Sequence, residues 1–374
     1  MRMGILCTMI NGFGRKGFYN TQEIGLGRAL LRKGHRVVIY KCLKKNEDMK
    51  TEKIEIEPGL TIFYLPVRGL GAHGYLKTEA LDKNLDGLLC FLDNQIFLPH
   101  IYRFCMRNRI CFVPYAGTAH SLHSGLHAKV MNTCFAAGSL KIYKNNRVIA
   151  KTDEAKRELM SLGVKKITVA PVGLDEAVLK SDFRKYDKAE LRMQYGFASD
   201  DILLCNVSRL EPEKRPLDLI EIFAHIKEKK KFRLLLVGEG ILRPEVDRKI
   251  AEYGLSDMVK IIDRVPYEEM WKIYVMSDYF VNLNRGEIFG MAIMEAVYYE
   301  TSVAAIAAPG PSITLKEMRG HCLCRDDSQI AGWLTGEYPS EETLAESSEK
   351  MVRDFSWDRC ADAFVTIVRR GEFV

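Results

Sequence analysis

The 374 residues contain no apolar run approaching the roughly 18 that a membrane-crossing helix needs, so a polytopic membrane protein is not expected. The opening Met1-Arg-Met-Gly-Ile-Leu-Cys-Thr-Met-Ile-Asn-Gly12 is interrupted too soon for a secretory leader and reads instead as a first strand. Ten cysteines are present without any Cys-x-x-Cys spacing, which argues against a zinc ribbon or a dithiol redox centre. Scattered this way, several of them inside apolar segments, they read as reduced core thiols of a cytosolic protein. Alternation along a strand accounts for the one close pair, Cys322-Leu-Cys324. Low-complexity tracts and short repeats are missing as well. Between positions 101 and 150 there is no Asp or Glu at all, against seven Lys and Arg.

That acidic deficit belongs to the first half of the chain. Residues 1–200 carry 32 Lys and Arg against 19 Asp and Glu, a balance of +13, whereas residues 201–374 carry 23 against 30, a balance of −7. The two halves therefore face different partners. A basic half suits an anionic acceptor or an anionic bilayer surface. No nucleic-acid-binding motif or sustained basic stripe accompanies it, so nucleic acid is not expected. The length fits two domains of roughly 150 to 200 residues rather than one. A hydrophobic fraction of 47% with 28% charged residues supplies a core for each.

Short apolar strands alternate with amphipathic helices twice over. In the first half the strands are expected at 4–10, 36–40, 60–65, 87–92, 110–115, 148–151 and 166–171, with helices clearest at 21–33 and 153–162. In the second half they are expected at 202–207, 232–237, 259–262, 279–283 and 302–305, with helices starting near Arg215, Leu242, Tyr267 and Gly290. Continuous apolar strands between helices predict α/β architecture with parallel sheets covered on both faces. The boundary falls in 173–200, giving domains at 1–175 and 176–356, and the default ligand site is a cleft between two Rossmann-like halves.

The segment Arg285-Gly-Glu-Ile-Phe-Gly-Met-Ala-Ile-Met-Glu295-Ala sets two carboxylates eight residues apart around a small, apolar helix start. If that start faces a diphosphate, the N–H groups of Phe289, Gly290 and Met291 and the positive dipole end hold the anion. Glu287 and Glu295 are then left to accept hydroxyl hydrogen bonds from the same ligand. A nucleotide sugar has that anatomy. A solvated helix face is the alternative, but the apolar Tyr279–Leu283 strand leading into the loop favours a ligand at a strand carboxyl end. Upstream, Cys205-Asn-Val-Ser-Arg209-Leu-Glu-Pro-Glu-Lys214-Arg-Pro216 also joins a strand to a helix. It projects Arg209 and Lys214 toward the same edge, where two cations neutralise a departing diphosphate. Leu235-Leu-Val-Gly238-Glu-Gly240 ends a strand with two glycines that allow close backbone approach to phosphate or ribose, without completing a Gly-x-Gly-x-x-Gly fingerprint there. Asp263-Arg-Val265-Pro is a further strand-end turn. In the first half, Asn11-Gly-Phe-Gly14-Arg-Lys-Gly17 joins the first strand to a helix capped by Thr21, with Glu23 nearby. The run His120, His123 and His127 has helical spacing, yet no nearby carboxylate or cysteine completes a zinc set and Gly125 weakens the helix, so no metal is assigned.

Together these motifs resemble retaining glycosyltransferases of the family 4 (glycosyl transferases group 1) type. Residues 285–296 resemble the Glu-x7-Glu element. Residues 207–216 resemble a Gly-Arg-Leu…Glu-Lys-Gly element, with Ser208 and Arg215 at two glycine positions, and residues 11–20 resemble the family's glycine loop. The strand ending in Thr152, the turn Pro171-Val-Gly-Leu-Asp175 and the Phe355-Ser-Trp357-Asp opening of a last helix extend the likeness over the whole chain. The resemblance implies the GT-B fold, two Rossmann-like domains facing across a cleft, with the helix at about 357–374 packing back on the first. It implies transfer of a sugar, with retention, from a nucleoside diphosphate, preferentially UDP, to a hydroxyl acceptor, in bacterial polysaccharide or glycoconjugate synthesis. Glu287 would hold the sugar hydroxyls, Glu295 the ribose, Val265 the base, Gly14 and Gly238 would let backbone approach the donor, and His120 would contact a sugar hydroxyl. Arg209 and Lys214 would stabilise the leaving phosphate in place of a metal, and no cofactor is implied.

Two rivals stand beside this reading: a dinucleotide-dependent oxidoreductase and a non-catalytic sugar-nucleotide binder. The acceptor, whether saccharide, lipid-linked saccharide or small molecule, would be read by residues 40–110. The aromatic and basic run 96–109 suggests peripheral contact at the inner face of a membrane, or else a core helix with a solvated basic face.

Overall fold

The computed structural model describes residues 1–10, 21–46, 49–91, 95–119, 125–226 and 231–371. It divides into two compact units, Met1–Asp175 with Phe355–Val374, and Glu176–Asp354.

The first unit is built on nine strands: β1 (Arg2–Cys7), β2 (Arg36–Lys44), β3 (Glu52–Glu57), β4 (Leu60–Leu70), β5 (His73–Tyr75), β6 (Gly87–Phe91), β7 (Cys111–Ala116), β8 (Val148–Ala150) and β9 (Ile167–Val169). Their order is β3-β4-β2-β1-β6-β7-β8-β9, with β5 added to the far end of β4. From β4 to β9 the pairing is parallel, while β3 and β5 pair β4 antiparallel. The expected strands all form. The additions are β3, where Ile54 and Ile56 alternate with charged residues, and the three-residue β5, both short of apolar signal. The core gathers Leu6, Val38, Leu65, Leu88, Phe112 and Val148 from successive strands, and helices cover it.

Helix Gln22–Arg32 begins after Thr21, but the Thr21 side chain makes no capping bond. Glu23 is also not a cap: it is buried and accepts from Lys41 Nζ on β2 at 2.5 Å. By contrast Thr152 caps helix Asp153–Ser161 as its residue type favours, accepting from Ala155 N at 3.0 Å. The last helix, Trp357–Arg369, packs on Gln22–Arg32, where a Cβ at Gly25 would lie 2.5 Å from Trp357 Nε1. The turn at Gly173 is equally close, since a Cβ there would meet the Trp357 backbone nitrogen at 2.2 Å.

In the second unit the strands are β10 (Ile202–Val207), β11 (Phe232–Val237), β12 (Val259–Ile262), β13 (Tyr279–Asn282), β14 (Ser302–Ile306) and β15 (Cys322–Cys324). All pairs are parallel, in the order β12-β11-β10-β13-β14-β15. This is the doubly wound Rossmann order, and it turns about at β10 and β13. Leu204, Leu234, Leu236, Val281, Ala304 and Ile306 form the centre of its core. Cys322 and Cys324 lie on one side of β15 with their sulfurs 3.0 Å apart, as alternation requires.

Among the described residues no helix is long and apolar enough to cross a membrane. Helix Leu98–Arg107 places Leu98, Ile101, Phe104 and Cys105 in the core and exposes Arg103 and Arg107. The apolar stripe of this run packs on β7, which leaves its basic face outward.

Candidate functional site

Where a parallel sheet reverses its winding, the loops leaving two neighbouring strands part and leave a crevice at their carboxyl ends. In the second unit those strands are β10 and β13, and the loops they feed carry Arg209 and Lys214 on one side and Glu287 on the other. Topology thus joins residues 73 positions apart: Lys214 Nζ donates to Glu287 Oε2 at 2.9 Å, with both side chains mostly buried. Asn284 Nδ2 donates to the same oxygen at 3.0 Å.

The Glu287 loop is shaped by asparagines. Asn282 Oδ1 accepts from Asn284 N and Asn284 Oδ1 accepts from Gly286 N, two successive Asx turns. Gly310 N then donates to Glu287 O at 2.8 Å, an approach that only glycine allows because a Cβ would fall 2.5 Å from Phe289 Cα. Phe289 is buried. Gly290, in the left-handed region with φ 84, is the N-cap of helix Met291–Tyr298, and no side chain caps it. The helix therefore starts at Met291, so Phe289 lies in the loop before it. Met291 supplies the first helical N–H.

Glu295 sits one turn further on, buried, and is served by hydroxyls rather than cations. Tyr274 Oη donates to Oε2 at 2.8 Å and Tyr267 Oη to Oε1 at 3.3 Å. Burial pushes its carboxyl up to about 7, against the opposing pull of the two hydroxyls. The Tyr274 hydroxyl is raised well above its usual range by burial and by the neighbouring carboxylate.

Other expected residues are placed differently. Arg209 is half exposed and pairs within its own turn, with Glu213 at 2.8 Å, and not with the Glu287 loop. Arg215, next to Lys214, occupies a glycine position of the resembling family and explains that preference: its φ is 55, a conformation costing an ordinary residue roughly 1 kcal/mol. Gly238, with φ 146, and Gly240 do permit close backbone approach, but to protein. A Cβ on them would meet Ser208 O at 1.9 Å and Leu210 O at 2.3 Å. The two loops are laced there by Ser208 N to Val237 O and Leu210 N to Glu239 O, both 3.0 Å. Val265 is buried in the turn after β12, beside Arg264, which pairs with Glu239 at 2.8 Å. Gly14 and His120 lie outside the described residues, as does His123; His127 falls on helix Gly125–Cys134.

Three residues of the site carry no functional reading in the sequence: Tyr267, Tyr274 and Asn284. The Asn-Leu-Asn-x-Gly spacing is the only one with a sequence signal, that of Asx turns. The tyrosines reach the site from another segment, 267–276. Gly12-Phe-Gly14-Arg-Lys-Gly17, unlike 238–240, has dinucleotide-fingerprint spacing in the sequence after β1. What counts against a dinucleotide is the end of β2, where Lys41 and Lys44 stand in place of an acidic ribose-binding residue.

In the first unit, β5, the turn after it and helix Leu98–Arg107 enclose an open depression of about 610 Å³ lined by Tyr75, Lys77, Glu79, Ala80 and His100. Tyr75 stacks on His100 with centroids 5.1 Å apart and meets Phe97 edge-on.

A doubly wound α/β protein with a charged, hydroxyl-lined switch point in its second unit is the class defined by fold and site. Residues 187–359 match the family described as glycosyl transferases group 1, and the chain has the GT-B fold of the solved glycosyltransferase structures it resembles. It is 24% identical to a D-inositol 3-phosphate glycosyltransferase of Geodermatophilus obscurus, covering 95% of this chain and 85% of that one. Among solved structures, sucrose-phosphate synthase from Thermosynechococcus elongatus superposes with a TM-score of 0.75 at 19% identity, covering 99% of both chains. The Anabaena protein HepE in complex with UDP-glucose gives 0.67 at 16%, covering 99% of this chain and 98% of that one.

Proposed function

We propose that the protein transfers a sugar, with retention of configuration, from a nucleoside-diphosphate sugar, preferentially a UDP-sugar, to a hydroxyl acceptor. The observation that carries this reading is the convergence of Lys214, Glu287 and the uncapped helix start at Gly290 on one switch point. A pyrophosphate arriving there takes over Lys214 as its cation and the Gly290 and Met291 amides as donors. Glu287, released from Lys214, turns to the hydroxyls of the sugar. Glu295 accepts from the ribose diol, with Val265 beside the base. Arg209, anchored only by exposed pairs of its own turn, swings to the phosphate at little cost. Negative charge developing on the leaving phosphate is where these groups act, and that phosphate takes the acceptor's proton. UDP-glucose bound to the HepE structure and the phosphorylated acceptor named for the inositol relative support a nucleotide-sugar donor and a polar acceptor.

The acceptor is assigned to the first unit, where the Tyr75 ring, Lys77 and Glu79 offer an aromatic face with polar flanks. Contact with an anionic membrane surface is electrostatic, through the exposed Arg103 and Arg107 of helix Leu98–Arg107. Synthesis of a polysaccharide or glycoconjugate at the cytoplasmic side fits these groups. Slow hydrolysis of a panel of UDP-, GDP- and ADP-sugars without acceptor tests the donor; no turnover of any, with no binding of UDP, overturns the proposal.

A further inference from the structure

The loop after β10 ends on a residue that its own backbone disfavours. Arg215 has φ 55 and ψ 46, where glycine sits without strain and an arginine does not. Its side chain is nevertheless fully engaged. Nε donates to Asp218 Oδ2 at 2.5 Å, and the two terminal nitrogens fork onto Asp327, at 3.1 Å to Oδ1 and 2.7 Å to Oδ2. Asp327 is the first residue of helix Asp327–Thr335, where a carboxylate is favoured by the helix dipole. On its other side it faces Arg285 Nη2 at 4.0 Å. One carboxylate therefore stands between Arg215, the neighbour of Lys214, and Arg285, two residues before Glu287.

We infer that Arg215 and Asp327 form a clamp that fixes the two strand-end loops against each other, so that Lys214 and Glu287 already face one another before a ligand arrives. Both are positioning residues, because neither needs to touch the donor. The physical case is directional. A lysine on a flexible stem specifies little by itself, whereas a bidentate guanidinium fork fixes both distance and plane. The left-handed turn at 215 aims that fork across the loop. A glycine there would keep the turn and lose the tether, which is how this chain departs from the family it resembles.

In its effect on the donor the clamp rests on the proposed function, but the tether between the loops does not. Hydrogen exchange on the full chain therefore tests it without ligand. Arg215→Gly and Asp327→Asn are each expected to speed exchange at the hydrogen-bonded amides of Asn284 and Gly286 about tenfold, although Arg215 is some 70 residues away in sequence. Arg215→Lys should fall between, and the double variant should be no worse than either single one, as expected of one device. Thermal unfolding of Arg215→Gly should stay close to wild type, since the turn suits glycine, which separates tethering from folding. UDP affinity should weaken about tenfold in both single variants. Unchanged exchange at Asn284 and Gly286 in both variants overturns the clamp. Failure of the wild type to bind UDP overturns the donor-site reading instead, while the exchange result still decides the clamp.

Discussion

Glu287 and Glu295 lie two helical turns apart in sequence and in opposite surroundings. The loop around Glu287 is polar and cation-bearing, so its carboxylate is paired with Lys214 and Asn284. The helix interior around Glu295 is buried, and its carboxylate is met by tyrosine hydroxyls alone. A carboxylate buried among rings and hydroxyls keeps its charge with difficulty, as at Glu295. One spacing therefore supplies two chemically different acceptors: one poised beside developing charge, the other able to lose its charge near neutral pH.

The sharpest break in that comparison comes from the loop side. Glu287→Ala should lower sugar transfer by roughly 10² to 10³-fold while leaving UDP affinity near wild type, whereas Lys214→Ala should lower both. Steady-state rates together with calorimetric UDP titration separate the two, and full transfer by the Glu287 variant would contradict its assignment.

On the helix side, Glu295→Gln should trade affinity for stability. A carboxyl raised from 4.5 to about 7 in the folded state favours folding below pH 4.5, and that contribution is lost as pH rises through 7. The glutamine variant should thus match wild type near pH 4.5 and exceed it by up to roughly 3 kcal/mol at pH 8 in urea unfolding, while binding UDP more weakly. For the wild type, UDP affinity should decline as pH falls below 7 and Glu295 takes a proton. A smaller effect is expected from Tyr274→Phe. Loss of its hydroxyl removes a donor that favours the charged carboxylate, so the pH at which UDP affinity declines should move upward, with about 1 kcal/mol of stability lost. A downward move of that inflection would contradict the arrangement. The smallest change is predicted for Arg209→Ala, within about 0.5 kcal/mol in unfolding, because its pair with Glu213 is exposed. Its effect should appear in sugar transfer and nucleotide affinity rather than in unfolding.

Much of this was legible in the residues. Apolar strands such as Leu203–Cys205 and Leu234–Val237 alternate with helices too regularly for any class but parallel α/β, and the loops bearing Lys214 and Glu287 read as strand-end turns. The edge strands β3 and β5 were not legible, since Glu52–Glu57 offers only Ile54 and Ile56 among charges and His73–Tyr75 is three residues long; both are held by pairing with β4. Gly238 was read as space for a ligand, and the nearness of Ser208 could not be seen from its own neighbourhood.

What sequence alone determined is local: periodicity, turn chemistry at Asn284 and Thr152, and the presence of two carboxylates and two cations of the right kind. Those follow from short-range sterics and hydrogen bonding, which a dozen residues suffice to express. Only the tertiary structure decided which of them meet: strand order places β10 beside β13 and brings Lys214 to Glu287, while the packing of neighbouring helices brings Asp327 to Arg215 and two tyrosines to Glu295. Pairing of distant segments depends on how the whole sheet buries its apolar faces, and no single segment contains that information.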